Sequence, residues 1–164
     1  TSAAVTRNRE TISWSFLAVP QIMTIYCRFV ELGSFLVGGS RYLYIGSDDS
    51  DNPSIKMDND GANFRLSHTQ AGAVHSVIGT ASIWDIVELR GVLFTDGAVQ
   101  IHVSVNGAAE SGGTKSAALA LPANWGDGFL YLNSRDTANV GFAGFHTVRV
   151  QRGEQTRAYM RSLW

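Results

Sequence analysis

The sequence predicts an all-β fold in which two antiparallel sheets pack face to face. Apolar and polar side chains alternate along many short segments, and this period of two is typical of half-buried strands. Gly, Asn, Asp and Pro separate the segments at short intervals, and no convincing long helix is present. About ten to twelve short strands with this punctuation indicate an antiparallel sandwich.

The clearest alternation lies on both sides of residues 95–97 and predicts a β-hairpin. A two-residue turn at Asp96-Gly97 would pair Arg90 with Val103 and place a charge on the apolar face. A three-residue connection, with Gly97 left-handed, pairs Arg90 with His102 instead. All the aliphatic side chains then share one buried face, so we predict the three-residue connection. These side chains are Val87, Leu89, Leu93, Val99, Ile101, Val103 and Val105.

The other predicted elements follow the same pattern along the chain. Strands are predicted at residues 12–16, 23–30, 41–46, 54–57, 63–68, 74–78, 129–132 and 142–150. Residues 47–53, 58–61, 111–113 and 124–128 are predicted loops or turns, and residues 117–121 an extended or irregular path. Residues 154–164 fit either a short helical turn or a last strand, and the sequence does not separate the two.

Composition limits the classes of function. The chain has 164 residues, 45% of them hydrophobic, which is enough for one domain with a two-layer core. With 13 basic and 14 acidic residues it has no basic stripe, so we expect no nucleic-acid partner. Its apolar runs are far shorter than the roughly 20 residues of a membrane span, so we expect no membrane insertion. The single cysteine, Cys27, is predicted to be a small core residue.

The two ends of the chain suggest one domain with an N-terminal extension. Residues 1–10 are polar and without pattern, and we interpret them as a linker or arm before a domain at residues 11–164. The chain begins at Thr1 without an initiator Met or a signal-like apolar segment. We interpret it as a trimmed form or as the C-terminal part of a longer protein.

The hairpin resembles the concanavalin A-like lectin/glucanase superfamily, and its laminin-G-like branch in particular. The resemblance rests on Trp84 before Val87, on Asp96-Gly97, and on the ending Val105-Asn106-Gly107. It implies a two-sheet jelly roll with one concave sheet, which binds ligands on the concave face or at the rim loops, often beside calcium. Trp84, as the signature residue at a strand entrance, is predicted to lie in the core.

Four further segments resemble C-terminal domains of bacteriophage virion proteins. They are MTIYCRFVELG (Met23 to Gly33), YLYIG (Tyr42 to Gly46), LYLNS (Leu130 to Ser134) and TRAYMRSL near the C-terminus. Such domains sit on tail, fibre or capsid-surface proteins. The resemblance implies a location on the virion surface, outside the cell, and a role in attachment or decoration.

The polar face of the hairpin is the predicted ligand surface. Planar polar groups bind sugar hydroxyls, and aromatic rings stack on the apolar faces of sugars. The predicted hydrogen-bonding residues are Glu88, Arg90, Gln100, His102 and Ser104. Tyr42, Tyr44 and Trp125 are the candidate aromatic platforms. The alternative is an ordinary solvated sheet face, or one covered by a partner chain.

A calcium site is a further hypothesis. Asp48, Asp49 and Asp51 lie close together in one predicted loop, and Asp58 and Asp60 lie in the next turn. Calcium takes six to eight oxygen ligands, which clustered loop aspartates can supply. The run lacks the EF-hand order, however, and Asp is also common in turns for backbone reasons.

Catalysis is not expected. The glucanase motif of three acids on one strand is missing its first acid at the nearest match, Asp85 to Glu88. No nucleophile-elbow motif is present, and the four histidines are scattered singly, without metal-ligand spacing.

Oligomerisation is the last expectation. Tyr26, Val30, Val92 and Phe94 are apolar residues on the outer side of predicted strands, where they suggest an interface. The sequence thus predicts a non-catalytic virion domain that binds a glycan. The alternative is a structural domain that contacts other virion subunits or copies of itself.

Overall fold

The computed structural model describes residues 11–13, 22–34, 40–46, 54–68, 73–94, 98–115, 129–132 and 141–163. In these residues the chain forms eleven strands and one short helix. The strands are β1 (Thr11–Ser13), β2 (Ile22–Ser34), β3 (Ser40–Gly46), β4 (Ser54–Asn59), β5 (Asn63–His68), β6 (Ala73–Ile78), β7 (Ile86–Phe94), β8 (Val99–Val105), β9 (Ser111–Lys115), β10 (Phe129–Leu132) and β11 (Gly141–Arg152). The helix is α1 (Arg157–Ser162).

The strands form two antiparallel sheets, as predicted. Sheet A has the order β1-β10-β3-β4-β5-β6, and sheet B has the order β11-β2-β7-β8-β9. Every neighbouring pair is antiparallel. This arrangement confirms the all-β, two-sheet antiparallel jelly-roll sandwich.

The register of the β7–β8 hairpin is the one that burial predicted. Leu89 pairs with Val103 and Arg90 with His102. The backbone N–H of Phe94 donates to the carbonyl of Ala98 at 3.0 Å, which closes a three-residue connection. The conformation predicted for Gly97 lies outside the described residues.

The core lies between the two sheets and contains the inward faces of their strands. From sheet B it includes Cys27, Phe29, Leu89 and Ile101, and from sheet A Leu43, Met57, Phe64 and Leu66. Phe29 stacks on Tyr42 across the sheets, with ring centroids 4.5 Å apart. Burial raises the pKa of the Cys27 thiol, which agrees with its predicted core role.

Residues 111–113 differ from the prediction, and the tail forms one of the two alternatives that the sequence left open. Residues 111–113 were expected to be a loop but belong to β9, because Gly112 and Gly113 lie flat against β8. The tail forms α1, which the hydroxyl of Thr156 caps by accepting from the N–H of Tyr159. None of the described helical residues forms a segment long and apolar enough to span a membrane. Residues 1–10, 117–121 and 124–128 lie outside the described part.

We expect Gly112→Ala to lower the free energy of unfolding by about 1–3 kcal/mol, the range for overpacking. A Cβ at this position would lie 2.5 Å from Nδ1 of His102 and would press on the backbone of β8. Gly113→Ala is the matched control, because its Cβ would lie 3.6 Å from the nearest atom, in His75. Urea denaturation of both variants tests this, and equal losses would contradict it.

Candidate functional site

The five polar residues predicted on the hairpin share the outer face of sheet B. Glu88 pairs with Ser104, Arg90 with His102, and Val92 with Gln100. The same face includes Thr24, Tyr26 and Arg28 of β2, which pair with Val92, Arg90 and Glu88. The sequence therefore predicted correctly which side chains lie together.

The expectation that this face is open to solvent is wrong for Glu88, Arg90 and Ser104, which are buried. Arg90 donates through Nε and Nη2 to the two carboxylate oxygens of Glu110, at 3.0 and 2.9 Å. Its Nη1 donates to the carbonyl of Gln155. The hydroxyl of Ser104 donates to the carbonyl of Ala108 at 2.7 Å. Arg90 and Ser104 therefore have partners within the chain itself.

The cover over this face is the C-terminal segment, residues 153–162. Thr24 Oγ1 donates to the carbonyl of Gly153 and accepts from the N–H of Gln155, which holds the start of the segment on β2. Farther along, Arg161 pairs with Glu88 at 2.8 Å, and Arg157 donates to the carbonyl of Ala108. The left-handed Gly153 (φ 81°) lies where β11 ends and the segment begins.

This cover also accounts for part of the apolar patch that suggested an interface. Tyr26 and Val92 are buried within this single chain, so their apolar character requires no partner. The Tyr26 hydroxyl donates to Glu88 Oε1 at 2.8 Å. Burial, followed by the hydrogen bond to Glu88, raises the pKa of Tyr26, which keeps the phenol a donor. Val30 and Phe94 are half-buried.

Gln100 and His102 stay half-exposed on the outer face. His102 Nε2 lies 3.4 Å from Gln100 Oε1. Burial, and then the charge of Arg90, lower the pKa of His102, so its ring is neutral at physiological pH. Of the predicted platforms, Tyr42 is buried, with its hydroxyl donating to Glu31 Oε2 at 2.8 Å. The side chain of Tyr44, and the whole of Trp125, lie outside the described residues.

The predicted calcium ligands Asp48, Asp49 and Asp51 also lie outside the described residues. Asp58, predicted in the next turn, lies in β4 instead and forms a two-pronged ion pair with Arg65 of β5 at 2.8 and 2.9 Å. Asp60 Oδ1 accepts from the N–H groups of Ala62 and Asn63, which is ordinary turn chemistry. No group of three or more metal-binding side chains occurs in the described ranges.

Trp84 is the residue for which the prediction fails most clearly. It was expected in the core, yet 74% of its surface is exposed, and its neighbour Ile83 is 58% exposed. Its φ of 76° lies in the left-handed region, which a bulky side chain rarely adopts. The structure therefore places a large aromatic ring in solvent on a strained backbone.

Hydrogen bonds fix the turn that carries Trp84. Its N–H donates to the carbonyl of Glu31 at 2.7 Å, and the Asp85 carbonyl accepts from the N–H of Glu31 at 2.9 Å. Asp85 Oδ2 accepts from the N–H of Ser82, and Oδ1 accepts from the Asn106 amide, both at 2.7 Å. These bonds, the Asn106 bond first, lower the pKa of Asp85 and keep it a carboxylate.

Asn106 joins this turn to the end of the hairpin. Its Oδ1 accepts from the N–H of Ile86 at 2.9 Å, and its own N–H donates to the carbonyl of Ile86 at 2.8 Å. Asn106 is itself left-handed, with a φ of 51°, which Asn tolerates better than most residues. These hydrogen bonds join the turn that carries Trp84 to the turn after β8, and the indole of Trp84 is exposed beside them.

We name this constellation the rim site: Ile83, Trp84, Asp85 and Asn106. It combines an exposed aromatic face with a carboxylate and an amide whose remaining lone pairs and N–H are accessible to a ligand. The sequence did contain a signal for it. Ser82 and Asp85 have the spacing of a side-chain-capped turn, and a residue inside such a turn is often directed outward.

We expect Trp84→Gly to raise the free energy of unfolding by about 0.5–1 kcal/mol. Glycine removes the steric cost of the left-handed backbone, about 1–2 kcal/mol, against a smaller loss from a more flexible unfolded chain. Ile83→Gly is the control, because that residue has no positive φ and should lose stability. Urea denaturation distinguishes the two, and a loss in Trp84→Gly would mean that the indole packs on the turn.

No family model matches this chain, and no curated protein matches it in sequence. Solved structures with the same fold do match. The LG1-3 region of the laminin α2 chain superposes with a TM-score of 0.65 at 10% identity over 91% of this chain. The enzymatically active domain of bacteriophage CBA120 tailspike protein 2 gives 0.61 at 15% identity over 88%. The CBM40 of a Ruminococcus gnavus sialidase, bound to α2,3-sialyllactose, gives 0.54 at 10% identity over 85%.

This chain spans 31% of the laminin chain, 24% of the tailspike chain and 80% of the CBM40 chain. At such low identity the similarity concerns the arrangement of strands and not the residues of a site. The two-sheet jelly-roll architecture of this protein is therefore the one that these three structures share.

Proposed function

We propose that the domain binds carbohydrate without catalysis and that the rim site is where the sugar stacks. The observation that carries the proposal is Trp84, a bulky residue kept exposed on a left-handed backbone. Strained backbone tends to occur at functional sites, because the fold must supply the energy that holds it. An exposed indole contributes little to the core, so binding is the reason we infer for its position.

The chemistry of the rim site fits a sugar ring. One face of a pyranose presents C–H groups that stack on an indole, and its hydroxyls accept and donate hydrogen bonds at the edge. Asp85 and Asn106 belong to the same rim site as the Trp84 indole, and their hydrogen bonds to each other and to Ser82 and Ile86 hold them in place. A preorganised site of this kind loses little side-chain entropy on binding.

Two carboxylates near the start of β7 support a role without hydrolysis. A glycosidase needs a protonated acid and a second carboxylate on either side of the scissile bond. Asp85 is held ionised by Asn106 and Ser82, and Glu88 is buried beneath Arg161. Neither is placed to donate a proton to a bound glycan.

The proposed setting is the surface of a phage particle, where the domain would serve attachment or decoration. It rests on the resemblance of Met23 to Gly33 and of the C-terminal segment to virion domains. Of the contacts predicted from the sequence, Gln100, His102, Tyr44 and Trp125 remain proposed, whereas Glu88, Arg90 and Ser104 are buried and bonded within the chain. Calcium at Asp48, Asp49 and Asp51 also remains a proposal.

A structural role without a sugar ligand is the second candidate. Ile78 on the edge strand β6 is 85% exposed, and with Ile83 and Trp84 it provides exposed apolar side chains that a neighbouring subunit would bury. In a structural role, the chain would self-associate or bind another virion protein through these side chains.

A glycan array tests the proposal with the unmodified chain, Trp84→Gly and Ile78→Ala, each with calcium and with a chelator. We expect bound glycans to lose at least about tenfold in affinity in Trp84→Gly, since stacking on an indole supplies much of the contact. Ile78→Ala, which removes an equally exposed apolar side chain, should bind as the unmodified chain does. Loss of signal with the chelator would support the calcium proposal.

Two results would contradict the proposal, the first its sugar ligand and the second its assignment of that ligand to the rim site. One is an array without hits combined with concentration-dependent self-association, measured by light scattering, that Trp84→Gly or Ile78→Ala reduces. The other is glycan binding that Trp84→Gly leaves unchanged. The first result supports the structural role, and the second places the binding surface elsewhere.

A further inference from the structure

We propose that Arg28, Arg157 and Arg161 form a binding site for an oxyanion of the sulfate, phosphate or carboxylate class. The site lies on the outer face of sheet B, at the edge of the C-terminal segment. As a source of the oxyanion we infer acidic groups on a glycan, and that part alone rests on the proposed function. Oxyanion binding itself follows from the charges described below.

Three guanidinium groups surround a single buried carboxylate. Arg161 Nε lies 2.8 Å from Glu88 Oε1, and Arg28 Nε lies 3.7 Å from the same oxygen. Arg157 Nη1 lies 3.7 Å from Glu88 Oε2. One close ion pair, that with Arg161, is enough to neutralise Glu88. The other two cations are therefore in excess at this point of a chain whose net charge is only −1.

The neighbouring charges do not cancel this excess. Glu110, the next carboxylate on this face, is already engaged by both prongs of Arg90. Arg149 on β11 adds another guanidinium, which donates to the carbonyl of Met160. The outer face beside α1 therefore contains more guanidinium groups than carboxylates.

Many of the N–H donors are free to bind a ligand. A guanidinium has about five N–H groups in a planar fork that matches an oxyanion. Within the described residues, Arg28 makes no hydrogen bond, and its buried Nε has only the 3.7 Å ion pair with Glu88. An unpaired buried N–H is unusual in a native protein, and an oxyanion can accept from it. Glu88 Oε2 is also buried without a hydrogen bond, but as an acceptor it does not itself favour an anion.

The guanidinium groups are accessible to solvent, whereas the Glu88 carboxylate is buried. The side chains of Arg161 and Arg28 are 44% and 31% exposed, whereas that of Glu88 is 3% exposed. Glu88 thus lies beneath the guanidinium groups and anchors them, and an anion approaching from solvent meets the guanidinium groups first. A partly buried cluster is also screened less by salt than a surface lysine.

Titration calorimetry with sodium sulfate and with sodium phosphate, at fixed ionic strength, tests the site directly. We expect the unmodified chain to bind, and Arg28→Gln and Arg157→Gln to bind about tenfold more weakly, since each removes charge-assisted hydrogen bonds. Lys56→Gln, on sheet A, is the matched control for loss of one charge and should bind normally. If Arg28→Gln does not fold, Arg28→Lys keeps the charge but loses the planar fork, and should show a smaller loss.

The outcomes separate this site from the rim site. Absence of sulfate and phosphate binding by the unmodified chain, or equal affinity in the arginine variants and Lys56→Gln, would overturn the oxyanion site. Trp84→Gly should keep its sulfate affinity whether or not the rim site binds sugar. Binding of dextran sulfate but not of unsubstituted dextran, lost in Arg28→Gln, would identify an acidic glycan as the source. Sulfate binding without dextran sulfate binding would restrict the site to small anions.

Discussion

Replacing Glu88 with alanine should lower the free energy of unfolding by about 3 kcal/mol. Glu88 accepts from the Tyr26 hydroxyl and pairs with Arg161, so its removal leaves a buried phenol without a partner. Breaking a buried ion pair costs about 3–5 kcal/mol. We expect a loss at the lower end of this range, because Arg161 and Arg28 are partly exposed and can turn toward water.

The measurement is urea denaturation at neutral pH, with Glu154→Ala as control. Glu154 is an exposed carboxylate at the start of the same C-terminal segment, so its loss removes the same charge without a buried partner. A loss of less than about 1 kcal/mol in Glu88→Ala would show that the pair with Arg161 is no stronger than a surface salt bridge.

The hairpin shows what local sequence can predict. Its register followed from one requirement, that all aliphatic residues of β7 and β8 share a face, because a slip of one residue would bury Arg90 beside Val103. The requirement involves only residues 87–105, so short-range information was sufficient. Strands β2, β5 and β6 follow from the same alternation.

The outer face shows what local sequence cannot predict. Alternation separates the two faces of a strand but does not reveal which one a distant segment covers. Arg90 is separated from Gln155 by 65 residues along the chain. Helix α1 has six residues, too few for a helical period to be recognised, so the cover over Glu88 was not foreseen.

The prediction for Trp84 in the rim site failed for a different reason. Trp84 precedes β7 and has the parity of Glu88 and Arg90, so extending the strand alternation backward directs its side chain to the outer face and away from the core. Its positive φ interrupts the strand geometry before β7 begins. The N–H of Trp84 bonds to the carbonyl of Glu31, a residue distant in the sequence, so local pattern could not reveal this turn. Resemblance to a family signature therefore suggested a core role that this backbone does not allow.

Ending the chain at Gly153 should be the most damaging change. It removes Met160, which is fully buried and contributes about 2 kcal/mol. It also removes the ion pair between Arg161 and Glu88, which contributes about 3 kcal/mol, and the hydrogen bond from Gln155 to Thr24, which contributes about 1 kcal/mol. The sum approaches the total stability of a small domain, which is about 5–15 kcal/mol.

Urea denaturation and binding of the dye ANS measure the result. The control is the chain ending at Leu163, which lacks only Trp164 and keeps the whole of α1. The shorter chain should unfold at much lower urea and bind ANS, because Tyr26 and Val92 become exposed. An unchanged urea midpoint would contradict this, since the outer face of sheet B would then be stable in water. The outer face of sheet B contains both buried charges and buried apolar side chains. We therefore expect it to require the C-terminal segment as a cover, just as the inner face requires sheet A.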